Sequence, residues 1–238
     1  MQTPVDSIPK FMYPYLCATA GVVGSMPYIN FSTIIDSPFK HLLFKAKMIP
    51  GLPLFAFYGV ERYVVGIVPT TGTTGLISIW LQEDFQKFQS QPISVFQKVI
   101  NTFCASSAVI VARSYIEMYF MRMSEKQIFQ KTIKVMVASE GLSSVSLFVF
   151  TPEIDKKINS PVIASFLGAA ITSPLTYFLT VSRIKYLESN CSASQSVRRA
   201  VRNPCFYRKM MHHNISLSIF CLAANELNKF LNSNINRK

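Results

Sequence analysis

Apolar stretches and short charged connectors alternate along the whole chain. Six stretches stand out, at about residues 11–35, 55–87, 99–119, 133–150, 161–181 and 210–227. At 1.5 Å rise per residue, a helix of roughly twenty residues matches a hydrocarbon core of about 30 Å. Lipid offers backbone N–H and C=O groups no partner but each other, so spans of this kind must be helical. The pattern predicts an all-α membrane protein, with six transmembrane helices in one domain covering residues 1–238. Polar residues interrupt several stretches, so a hydropathy window alone finds three or four of them.

The second stretch is the most informative. It carries Glu61 and Arg62 in its first half and Pro69 near its middle, and it leaves the apolar region at Glu83, Asp84 and Lys87. A helix lining a polar path through a bilayer has this character. Small-residue runs occur at residues 18–25, 105–108 and 168–170, where helix backbones approach closely in lipid. Pro38, Pro69 and Pro174 mark bends or breaks. Residues 123–134 and 183–208 read as polar, basic connectors.

Composition narrows the class. Only 15% of residues are charged, against about 25% in soluble domains. The formal charge of +12 asks for an anionic partner. With this hydropathy, that partner is an anionic membrane lipid such as cardiolipin or a transported anion, and not nucleic acid. Arg198, Arg199 and Arg202 then face lipid headgroups. The connectors after the first, third and fifth stretches hold most of the basic residues, which places them together on one side.

Five cysteines without a C-x-x-C spacing read as buried free thiols. His212 and His213 are adjacent and point apart on a helix, so no metal site is expected. No H-E-x-x-H, nucleophile elbow or paired-carboxylate arrangement is present. The sequence therefore predicts neither an enzyme nor a cofactor. The first ten residues resemble neither a secretory signal nor a transit peptide.

Three acid–lysine pairs follow the even stretches: Asp84 with Lys87, Glu153 with Lys156, and Glu226 with Lys229. One such pair is a common local feature worth a few tenths of a kcal/mol. Three at equivalent places suggest a ring of alternating charges at one mouth of a bundle. The plan resembles the mitochondrial carrier family, whose even helices end in [FY]-[DE]-x-x-[KR]; this chain keeps the [DE]-x-x-[KR] part without the aromatic. Residues 57–69 and 206–208 are similar to the family's second- and sixth-helix openings. The likeness covers nearly the whole chain. It implies three two-helix repeats, at about residues 8–88, 95–158 and 159–232, around a central cavity. It also implies a monomer of the mitochondrial inner membrane that exchanges anionic solutes by alternating access.

The odd-helix signature P-x-[DE]-x-x-[KR] is mostly lost. Pro38 is followed by Lys40, and Pro174 by Thr176; only Glu117 keeps the acid. A Lys40–Glu117 contact is the most that the second charge ring would retain. The chain is also short for the family, and giant-virus members of the family are similarly short and divergent.

Ionisable groups inside spans are functional candidates by default. Arg62 is either neutralised by Glu61 or contacts the solute. Arg113 is either a phosphate ligand, suited by its planar fork, or it snorkels to the interface. Glu140, Gly141 and Leu142 fall at the resemblance's second contact point, the G-[IVLM] position of adenine-nucleotide carriers. His213 or Asn214 falls at its third, and Thr33 and Gly66 at the corresponding places on the first two helices. Thr70, Thr71, Thr73 and Thr74 add hydroxyls that face the path or bond back to helix carbonyls. The expected solute is an anionic small molecule, with a nucleotide or deoxynucleotide favoured. A carboxylate carrier and a non-transporting membrane scaffold or receptor are the alternatives.

Overall fold

In the computed structural model the described residues are 8–36, 57, 59–88, 92–119, 121–189, 193–202 and 205–235. They are helical almost throughout, and none of them lies in a strand. A 3-10 turn at Lys10–Met12 leads into α1 (Tyr13–Asp36), and α2 (Val60–Phe88) and α3 (Val95–Tyr119) follow. Next come α4 (Met123–Val145), a π-helical turn (Ser146–Phe150) and α5 (Thr151–Ile158), which run on as one rod. The chain ends with α6 (Pro161–Ser189), the short α7 (Ala193–Val201) and α8 (Phe206–Ile235).

Each long rod packs on the next in the chain, and α8 closes the circuit against α1. Among the described residues, four helical segments are long and apolar enough to cross a membrane: Tyr63–Lys87, Val95–Tyr119, Phe129–Ile158 and Pro161–Ile184. In α1, tyrosine, serine, proline and asparagine dilute a run that has no charge over residues 13–35. In α8 the diluting residues are histidines, serines and asparagines.

The burial pattern is that of a protein solvated by lipid. On α6, the large apolar residues Val162, Ile163, Phe166, Ile171 and Leu175 are exposed, while Ser165, Thr172, Ser173 and Thr176 are buried. Trp80 and Phe96 point outward, while Ser78 and Thr102 are buried and share a 2.7 Å hydrogen bond between α2 and α3. Water would select the opposite arrangement. A bilayer favours large apolar groups outside and small, hydrogen-bonded ones where helices meet.

Small residues set the helix spacing. A Cβ on Gly21 would meet the Phe220 ring, and one on Gly24 would meet Ala223, so both allow α1 to lie close to α8. Gly168 brings α6 onto the backbone of Thr151, at the start of α5.

Three expectations need correction. Residues 123–134 are not a connector but the first turns of α4. Phe129 and Thr132 give this segment a buried face that Met136 continues, and Phe129 and Met136 join Ile110 and Met118 of α3 in one cluster. Likewise, the basic segment 183–208 is mostly helical, divided among α6, α7 and the start of α8. Finally, the fourth stretch does not stop at Phe150. Pro152 lacks the N–H that an α-helix needs there. The ladder widens by one residue instead, and the Thr151 N–H donates to the Ser146 carbonyl. The rod ends only at Asn159, in the left-handed conformation at φ 51°, whose N–H caps the Asp155 carbonyl at 2.8 Å.

Cys17 and Cys221 are buried free thiols in one core cluster. Cys104 departs from the expectation and faces outward. Cys191 lies outside the described residues.

Candidate functional site

The even stretches all end at one end of the ring, so their charged termini gather there. Residues from the N-terminal turn and α1, from the last turns of α2, α5 and α8, and from the start of α3 surround a cavity of about 430 Å3. Its charged lining is Lys10, Glu83, Lys98, Glu153 and Lys156, with the amides of Gln82, Asn225, Asn228 and Asn232 beside them. Gly75 lies at its inner end, where an added Cβ would meet the Phe148 ring.

Two tethers cross this end. Lys98 of α3 donates to Glu153 Oε1 at 2.6 Å, and Lys156 reaches the same oxygen at 3.1 Å. On α8, Lys229 reaches Asp155 at 2.5 Å and Glu226 at 3.2 Å. Asn225 donates to the same Asp155 oxygen at 2.7 Å. Asp155 is buried, and its second oxygen has no hydrogen-bond partner. Lys98, Asp155 and Asn225 were not singled out in the sequence. Asp155 lies two residues past Glu153, on another face of the helix, so a motif that reads Glu153 passes over it.

The three acid–lysine pairs are therefore not equivalent. Glu153 and Lys156 line the cavity, and Glu226 shares Lys229 with the neighbouring α5. Asp84 and Lys87 bond only to each other, at 2.8 Å across one turn of α2, and neither lines the cavity. The cross-helix links at this end are made instead by Lys98 with Glu153 and by Lys229 with Asp155.

Further along α2 and α3, a second cavity of about 640 Å3 is lined by Gly66, Thr70, Thr73, Ala112, Arg113 and Glu117, among others. Arg113 Nε donates to Glu117 at 2.6 Å, and its Nη1 reaches the Gly66 carbonyl and Thr70 Oγ1, each at 3.2 Å. Arg113 thus joins α2 to α3 and does not snorkel outward. Gly66 has open space where a Cβ would stand. Thr70 bonds back to the Gly66 carbonyl, whereas Thr73 bonds the Tyr15 hydroxyl at 2.9 Å. Glu140 is accessible, and it feels the charges of Arg113, Arg183 and Glu117. Arg183, read as part of a connector, belongs to α6, with its guanidinium 5.7 Å from the Phe129 ring centre. Two arginines and two glutamates thus offset one another in this region.

Gly141 does not face open space. It is buried, and a Cβ there would strike Phe103 of α3, so its role is helix packing. Leu142 is half-buried beside it. His213 stacks on Tyr177 with its Nε2 buried and unpartnered, and it borders a small cavity of about 110 Å3 between α1, α2 and α8. His212 instead meets the Tyr28 hydroxyl through Nδ1, at 2.6 Å. Asn214 is buried and accepts from Ser173 of α6. Pro69 and Pro174 sit inside continuous helices, as does Pro27 of α1. Pro38 and Lys40 lie outside the described residues, as do the side chains of Thr33 and Arg62. Glu117, the expected partner of Lys40, is held by Arg113.

Among the described residues, these observations define an all-helical arrangement with four segments long and apolar enough to cross a membrane and a charged cavity at one end of a helix ring. No family model, curated protein or solved structure matches the chain.

Proposed function

We propose that the chain is a transmembrane solute carrier that exchanges anionic metabolites by alternating access, with nucleotides or deoxynucleotides as the favoured class. In this reading all six long rods span the bilayer as three two-helix repeats, and the membrane is the mitochondrial inner membrane. The observation that carries it is the closed ring in chain order, with the ends of α2, α5 and α8 gathered around one cavity whose charged lining includes Glu83, Glu153 and Lys156. The pairs there open and close as a gate, and the Arg113 and Glu140 region forms the path between the ends. The surplus of basic residues and the fork of Arg113 favour phosphate-bearing solutes.

The test is uptake of labelled solute by purified protein in liposomes preloaded with candidate anions. Exchange of a nucleotide is expected. Exchange of a keto acid but of no nucleotide refutes the substrate class. The engagement of Arg113 by Glu117 favours a second reading, a non-transporting scaffold or receptor with a neutralised interior. Absence of exchange for every anion, from correctly folded protein, would decide for it.

A further inference from the structure

Two ammonium groups share one oxygen at the charged cavity. Lys98 Nζ and Lys156 Nζ lie 2.6 and 3.1 Å from Glu153 Oε1. Two cations against one anion leave a positive charge, and Lys10 adds another within the same lining. Three lysines against Glu83 and Glu153 leave the lining with one net positive charge. The cavity also keeps amide groups close by. Gln82 donates to Ser78 through Nε2, and Asn228 accepts from Asn232 through Oδ1. That leaves the Gln82 carbonyl and the Asn228 NH2 as an acceptor and a donor. At about 430 Å3 the space is in the range of small-molecule sites.

We propose that this cavity is a docking site for an organic phosphate, whose phosphate group takes the place of Glu153 between Lys98 and Lys156. A carboxylate offers the two lysines one shared oxygen here. A phosphate monoester offers each its own, along with a second negative charge. The amides receive the hydrogen-bonding body of the molecule. Lys98 belongs to α3, and Glu153 and Lys156 to α5, so the bound phosphate replaces the direct Lys98–Glu153 tether with a bridge between the same helices through the anion. The purpose of the site rests on the carrier reading, but its occupancy does not require transport.

Binding is read on the purified full chain in detergent, as the shift of the thermal midpoint with added ATP, inorganic phosphate or citrate. ATP raises the midpoint of the wild type. The half-saturating concentration rises about tenfold in Lys98→Gln and in Lys156→Gln, the loss of one ammonium contact. It falls in Glu153→Gln, whose lysines are no longer occupied, and Lys98→Arg retains binding. The midpoint without anion reports whether each variant is folded. The proposal is overturned if Lys98→Gln and Lys156→Gln titrate like the wild type, if Glu153→Gln binds more weakly, or if citrate protects at the same concentration as ATP. Protection by inorganic phosphate equal to that by ATP would remove the amides from the site. Liposome exchange by the same preparations separates the two claims. Lysine-dependent binding without exchange retires the carrier reading and keeps the site, and exchange without lysine-dependent binding does the reverse.

Discussion

The tether between α5 and α8 has a measurable asymmetry. Asp155 is 4% exposed at its side chain, and Lys229 is 46% exposed. Replacing Asp155 by Asn removes the buried charge and keeps the shape. Lys229 then retains Glu226 at 3.2 Å, so the loss is one charge-assisted hydrogen bond, about 1–2 kcal/mol. Replacing Lys229 by Gln leaves the buried carboxylate with Asn225 alone. Stranding a fully buried charge costs about 3–5 kcal/mol. One partner remains and the lysine is half in solvent, so the expected cost is about 2–3 kcal/mol. The double variant removes both charges and costs less than the sum of the singles, leaving a coupling of at least about 1 kcal/mol. Equilibrium unfolding by SDS titration in mixed micelles measures all three. A coupling near zero, or a Lys229→Gln variant more stable than Asp155→Asn, would refute the claim that Asp155 is the pivot of this tether.

Two further predictions follow from packing and topology. Gly168→Ala is expected to destabilise by about 1–3 kcal/mol, because the new methyl meets the Thr151 backbone, which cannot rotate away. Gly66→Ala, in open space, is expected to be neutral or to stabilise by up to about 1 kcal/mol through helix propensity, and thermal unfolding of both variants checks the contrast. The N-terminal turn and the ends of α2, α5 and α8 line one cavity. Single cysteines at Lys10, Lys156 and Asn232, in a background free of other cysteines, should therefore be labelled from the same side of a sealed vesicle. Labelling of any one of them from the opposite side would refute the arrangement.

Helix type and order were legible in the sequence because lipid leaves few alternatives. A stretch of roughly twenty apolar residues is a helix or nothing. The ends of the helices were less legible. Residues 123–134 look polar and basic, yet Phe129 and Met136, seven residues apart, define a buried face. A hydropathy average discards that period, whereas a helical one keeps it. Thr151-Pro152 likewise carries a stop signal that the π-turn overrides, since one widened turn removes the need for the missing N–H.

The site was legible in charge but not in pairing. Glu153, Lys156, Glu226 and Lys229 all lie at the charged end, yet their partners depend on which helices touch. Lys98 lies in the first turn of α3, beside the end of the adjacent α4–α5 rod, so Glu153 is drawn toward α3. The strongest link to α8 then falls to Asp155, the buried acid two residues on. Gly141 shows how one residue type serves two readings. A glycine at a place where a family binds its solute is also what close helix packing requires, and Phe103 fills the space beside it. Spacing identifies the residues available to an end of a bundle. Helix rotation and the neighbouring helix, its axis about 8–10 Å away, decide what each of them binds, and α2 illustrates this: its Asp84 and Lys87, turned from the cavity, satisfy each other, while Glu83, one residue away, lines it.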